Sequence, residues 1–166
     1  MQKVNIGTVL FEQSKGAAVV TLLEESGERS IPIVIGIWEG MAIFRELNRT
    51  PSHRPMLHDL FYNILLGFQG RLEKIVVDST GDNTYYAQLH IAQADTTMLV
   101  DARPSDALAL ALRFQAPIYV ADAVLEAASK QSDFAASEDA LPEQASTEDV
   151  QTWLENIRPE DFADPQ

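Results

Sequence analysis

The stretch from Thr96 to Phe114 constrains the fold more than any other, because it specifies a strand, a tight turn and a helix in immediate succession. Residues 96–101 (TTMLVD) are short, β-branched and apolar. Pro104 then pre-sets a helical φ, Ser105 can cap, and residues 107–113 are dense in strong helix formers. The turn places Asp101, Arg103 and Asp106 around a helix N-terminus, where free N–H groups and a partial positive charge suit an anion. A second cluster, Arg54, His58 and Asp59, opens another helix earlier in the chain.

Hydrophobic periodicity places the remaining elements. Strands are predicted over residues 4–12, 17–25 and 31–37, the last apolar enough to be buried on both faces, followed by a helix over 38–47. A helix over 56–68 carries Leu57, Leu60, Phe61, Ile64, Leu65 and Phe68 on one stripe, the pattern of a face turned to the core. Strands over 72–78 and 84–93 flank a Gly81-Asp82 turn, with further strands over 96–101 and 117–120, a helix over 104–114 and a closing helix over 122–130. The predicted class is α+β: mixed sheets from two units of three strands plus a helix, a candidate duplication, with helices packed on them. Glu39 stands opposite Asp106 in that repeat, and Ala42 opposite Ala109.

Charge divides the chain. Residues 121–166 hold twelve acids against Lys130 and Arg158, a local net of −10 out of −13, which leaves about −3 for residues 1–120. Neither part has the basic stripe of a tight polyanion binder. There are no cysteines, which excludes disulfides and thiolate metal sites. The N-terminus lacks the pattern of a signal peptide, and no apolar run approaches the roughly 20 residues that span a bilayer. A cytoplasmic protein without membrane attachment is expected. The organisation expected is a domain over 1–130, a polar linker over 131–146, and an acidic helix and tail over 147–166 with Val150, Trp153, Leu154 and Ile157 on one face.

Local architecture alone accounts for much of the polar clustering: turn acids accept backbone bonds, an acid in a first helical turn is favourable, and Arg103 can pair with either neighbour. Together, however, the residues offer what phosphodiester hydrolysis needs. Asp59, Asp101 and Asp106 could hold a hard cation such as Mg²⁺ or Mn²⁺. Arg54 and Arg103, with Ser105 and Glu39 beside them, could bind the phosphate, and His58 could move protons alongside those acids.

Several segments resemble the bifunctional nuclease domain family. They are Arg54-Pro55 with His58-Asp59-Leu60; Val76-Val77-Asp78 with Asn83-Thr84-Tyr85-Tyr86-Ala87; and the run from Asp101 through Asp106 to Ala111. Ile33 to Gly36 with Glu39, Ala42 and Ile43, and Ala116 to Val120, also fit in order, so that the resemblance runs over about residues 3 to 130. It implies a compact α+β fold, an oligomer, and nuclease activity on RNA and DNA of low sequence specificity. The alternative from another class is a non-catalytic oligomeric binding or regulatory protein, in which the polar cluster is an ion-pair network. Homo-oligomerisation is also expected from the apolar strands 31–37 and 72–77, and the acidic tail is expected to contact a basic surface.

Overall fold

A computed structural model describes residues 1–27, 29–79 and 84–126. Strands β1 (Gln2–Glu12), β2 (Ala17–Glu24) and β3 (Ser30–Gly36) pair as an antiparallel meander that runs directly into helix α1 (Ile37–Leu47). Helix α2 (Leu57–Gly67) follows. Strands β4 (Gly70–Ser79), β5 (Tyr85–Gln93) and β6 (Thr96–Ala102) then repeat the meander and run into helix α3 (Pro104–Phe114). Strand β7 (Ile118–Val120) lies antiparallel to β1 and parallel to β4, and residues 122–126 are helical.

The result is an α+β fold, with one mixed seven-stranded sheet in the order β3-β2-β1-β7-β4-β5-β6 rather than a sheet per unit. The two meander-plus-helix units are antiparallel in that sheet. Glu39 and Asp106 are each the third residue of their helices, as the sequence alignment of the halves requires.

Alternation decides which side chains enter the core. Ile31 and Ile33 are fully covered, whereas Val34 between β3's inward residues is 71% exposed. The expectation that this strand is buried on both faces is therefore corrected: β3 is an edge strand, and Pro32 is tolerated there because no neighbour asks for its missing N–H. The core gathers Val4, Val20, Leu22, Ile43, Ile75, Val77, Leu108 and Val120 from both halves. Helix α3 is its centrepiece, buried from Ala107 to Ala111, with α1 and α2 alongside and the sheet beneath. Gly40 lets α1 come close to β2, since a Cβ there would stand 2.5 Å from that of Ala18.

Helix α2 reverses its expected orientation. No residue of it is buried, and Leu57 and Phe68 are 74% and 67% exposed. Its inward side is instead His58, Asp59, Tyr62 and Leu65, with the Tyr62 ring tilted at 55° against that of Phe114, centroids 4.6 Å apart. Among the described residues no helix is long and apolar enough to cross a membrane. The linker and acidic helix expected beyond residue 126, and the turn at 80–83 with Asn83, lie outside the described residues.

Candidate functional site

Two strand-to-helix junctions converge. Arg103 is the N-cap of α3, and Pro104 and Ser105 start the helix that carries Asp106 in its first turn. Glu39 occupies the first turn of α1, after Gly36, whose lack of a side chain leaves room for the Glu39 carboxylate to fold back. Arg103 joins the two helices: its Nε and Nη2 donate to the Asp106 carboxylate at 2.7 and 3.1 Å, and its Nη1 donates to Glu39 Oε1 at 3.0 Å. His58, in the first turn of α2, places Nε2 3.1 Å from Asp106 Oδ1. Three helix starts thus bring Glu39, His58, Arg103 and Asp106 together.

Electrostatics follow the geometry. Burial would push the Asp106 carboxyl up, but the hydrogen bonds from Arg103 and His58 outweigh it and hold it below the usual carboxylate range. The same Asp106 bond, reinforced by Glu39, raises Arg103 further into its charged form. Three of the five guanidinium N–H groups are committed in these bonds, and the side chain is 65% exposed. The others are left for an anion.

Beside Arg103 opens a cavity of about 400 Å³, walled by Ile33 to Gly36, Glu39, Thr84, Tyr85, Arg103, Pro104 and Ser105. Strand β3 and the start of β5 come from opposite halves of the sheet, so its curvature around α1 and α3 is what closes this space. His58 and Asp106 are not among the walls and stand behind Arg103.

The other expected residues lie elsewhere. Asp59 faces the far end of α3, where Arg113 Nε donates to it at 2.7 Å and its second oxygen accepts the Met56 N–H at 2.8 Å. Burial would raise its carboxyl, and Arg113 with the Met56 amide lowers it. Asp101 pairs in register with Gln88, one residue out of phase with the buried Ala87 and Leu89. It therefore points from the sheet face opposite the helices. Arg54 is exposed in the loop before α2 and has no ion pair among the described residues. The expected grouping of Asp59, Asp101 and Asp106 about one cation is corrected accordingly: the pleat and the length of α3 separate them, and among the described residues no three acidic or histidine side chains are grouped to hold a metal ion.

Sequence reasoning passed over Arg113 and Glu46, which form a second cluster with Asp59; Arg113 Nη2 lies 3.6 Å from Glu46 Oε2. The available signal was spacing. Arg113 follows Asp106 by about two helical turns and so shares its face, just as His58 and Asp59 are adjacent on α2.

The model of the bifunctional nuclease domain matches residues 20–133, more than half of the chain and all of the site just described. The chain belongs to the bifunctional nuclease domain family. It is also 32% identical over 164 residues, 98% of each chain, to uncharacterized proteins of Mycobacterium tuberculosis strains CDC 1551 / Oshkosh and ATCC 25618 / H37Rv.

Proposed function

We propose that this member of the bifunctional nuclease domain family hydrolyses phosphodiester bonds in RNA and DNA with low sequence specificity, using the cavity beside Arg103. The observation that carries the reading is the arginine itself: an exposed guanidinium on the cavity wall, fixed by two carboxylates that take three of its five N–H groups. Arg103 binds a phosphate oxygen. Glu39, the carboxylate on the cavity wall, orients an attacking water and takes its proton. Asp106 and His58 hold Arg103 in place, so that His58 acts on the phosphate position through Asp106. Glu39, the carboxylate on the cavity wall, would be the hard donor to a Mg²⁺ or Mn²⁺ ion that arrives with the substrate phosphate, and no prebuilt cage of acids stands among the described residues. Such an ion would polarise the phosphoryl oxygen. A cytoplasmic location agrees with a nucleic-acid substrate.

The test is cleavage of end-labelled single-stranded RNA and DNA by purified protein with and without Mg²⁺ or Mn²⁺, beside Glu39→Gln and Arg103→Met prepared identically. Cleavage by the variants is expected to fall by about 100-fold or more while circular dichroism is unchanged. Equal cleavage by folded variants would assign the activity to a contaminant.

A second reading has its own observation. Every acid of the two clusters is already matched by a guanidinium, Glu39 and Asp106 by Arg103, Glu46 and Asp59 by Arg113. That is how an ion-pair network fastening three helices is built. With a body of nearly balanced charge, counterion release contributes little affinity for a polyanion. Absence of cleavage by well-folded wild type under all metal conditions would establish this non-catalytic reading.

A further inference from the structure

The cavity beside Arg103 offers more than a phosphate needs. A phosphate is small and polar, and an exposed guanidinium can hold it at the surface. The space that Arg103 borders is about 400 Å³, and Ile33, Val34, Ile35, Tyr85 and Pro104 give it largely apolar walls. A chamber of that size and character, with a few fixed polar groups, suits a small ligand that is apolar over much of its surface.

Two polar features of the walls are unclaimed. Ser105 is only 5% exposed, and its hydroxyl has no hydrogen-bond partner among the described residues. No fully enclosed side-chain oxygen or nitrogen among those residues lacks a partner, so this hydroxyl opens on the cavity that Ser105 lines. The other feature is an edge of β3, which among the described strands pairs with β2 alone. Inward Ile33 and outward Val34 both border the cavity, so it runs along the unpaired edge of the strand rather than over one face. Backbone N–H and C=O groups on such an edge are free to donate and accept.

We propose that the cavity receives one unpaired nucleobase while Arg103 holds the phosphate of the same nucleotide, which makes single-stranded nucleic acid the substrate class; this rests on the reading of Arg103 as the phosphate seat. A base has flat apolar faces for Tyr85 and the aliphatic walls. Its edge carries mixed donors and acceptors for the open edge of β3 and for Ser105. A serine hydroxyl rotates to donate or to accept, and the backbone offers both, so each of the bases finds partners and the site discriminates little among them. In a duplex the same base is stacked and paired, and it has to be extruded before it can enter. The nearly balanced charge of residues 1–120 points the same way. With little counterion release to draw on, burial of a base is what supplies affinity.

Fluorescence anisotropy of the full chain in EDTA, at about 50 mM salt, tests this without metal-dependent turnover. Three end-labelled probes of one length are compared: an oligothymidylate, the same chain with abasic units throughout, and the blunt duplex of oligothymidylate with oligoadenylate. The abasic chain is expected to bind roughly tenfold more weakly than the oligothymidylate, and the duplex equally so despite its greater charge. Tyr85→Leu is expected to weaken the oligothymidylate by roughly tenfold and Ser105→Ala by about fivefold, with little effect on the abasic chain. Arg103→Met weakens both. Ser105→Ala removes a single hydroxyl, so it keeps the test decisive if Tyr85→Leu fails to fold. Equal affinity for base-bearing and abasic chains, or for single strand and duplex, overturns the proposal. So does failure of folded wild type to bind any probe, or a loss in Ser105→Ala that is the same for both chains. Binding is read without cleavage, so an inactive wild type leaves the base site standing, and tight binding of the abasic chain leaves the nuclease reading standing.

Discussion

Arg103 clasps a carboxylate 64 residues away and another one turn ahead, and this is the residue-scale feature on which the cluster depends. Its partners make a statement about acid stability. Asp106 has a folded pKa held below the value near 3.9 that it has in an unfolded chain, so its contribution is present above that value and is lost as pH falls through the lower one. Thermal melts from pH 3 to 7 should show wild type more stable than Asp106→Asn by a margin that is full above about pH 5 and closes towards pH 3. A margin independent of pH would mean that the carboxylate's charge is not what Arg103 and His58 stabilise. Asp106 was legible in the sequence because an acid in the first turn of a helix follows a recognisable Pro-led start. Its counterpart Glu39 was found by aligning the two halves and by the family resemblance, and Arg113 could not be found by motif at all, since an arginine in a last helical turn is ordinary dipole chemistry.

Elements were easier to read than their orientations. The α3 junction was found with the boundaries Pro104–Phe114 because Pro at its start and the alanine–leucine run leave one option. The strands were found because β-branched runs are bounded by Gly and polar turns. What the periodicity of α2 could not tell is which side faces in: a stripe of leucines and a stripe of His58, Asp59 and Tyr62 are both intact faces, and ion pairs with residues on α3 decided between them. Likewise Pro32 in an apolar run marks an edge strand, a signal that outweighs apolarity. Packing at the element scale also sets a limit on α1. Gly40→Ala gains about 1 kcal/mol in helix propensity yet forces a Cβ onto Ala18, with Phe11 also close. A net loss of about 1–2 kcal/mol is expected from urea denaturation midpoints. A gain would show that α1 can lift from β2 without penalty.

At the scale of the whole molecule, the seven described strands of the sheet all lie before residue 121. Truncation after Lys130 should leave the thermal midpoint of the body within about 2 °C by calorimetry and, with ten acids and Arg158 gone, a net of nine negative charges, raise binding to single-stranded nucleic acid at low salt. Unfolding of the truncated chain would make that segment part of the core. The three-residue strand β7 has a different consequence. Among the described strands it alone pairs with both meanders, and it pairs Gln2 to Val4 with residues 118 to 120. During synthesis the first meander leaves the ribosome with the inner edge of β1 open, and the strand that will seal it is the last of the described strands to be made. The amino-terminal half must wait for residues 118–120, so sealing of its edge is gated by their synthesis, and a pause before residue 118 would hold two unsealed edges side by side on a nascent chain.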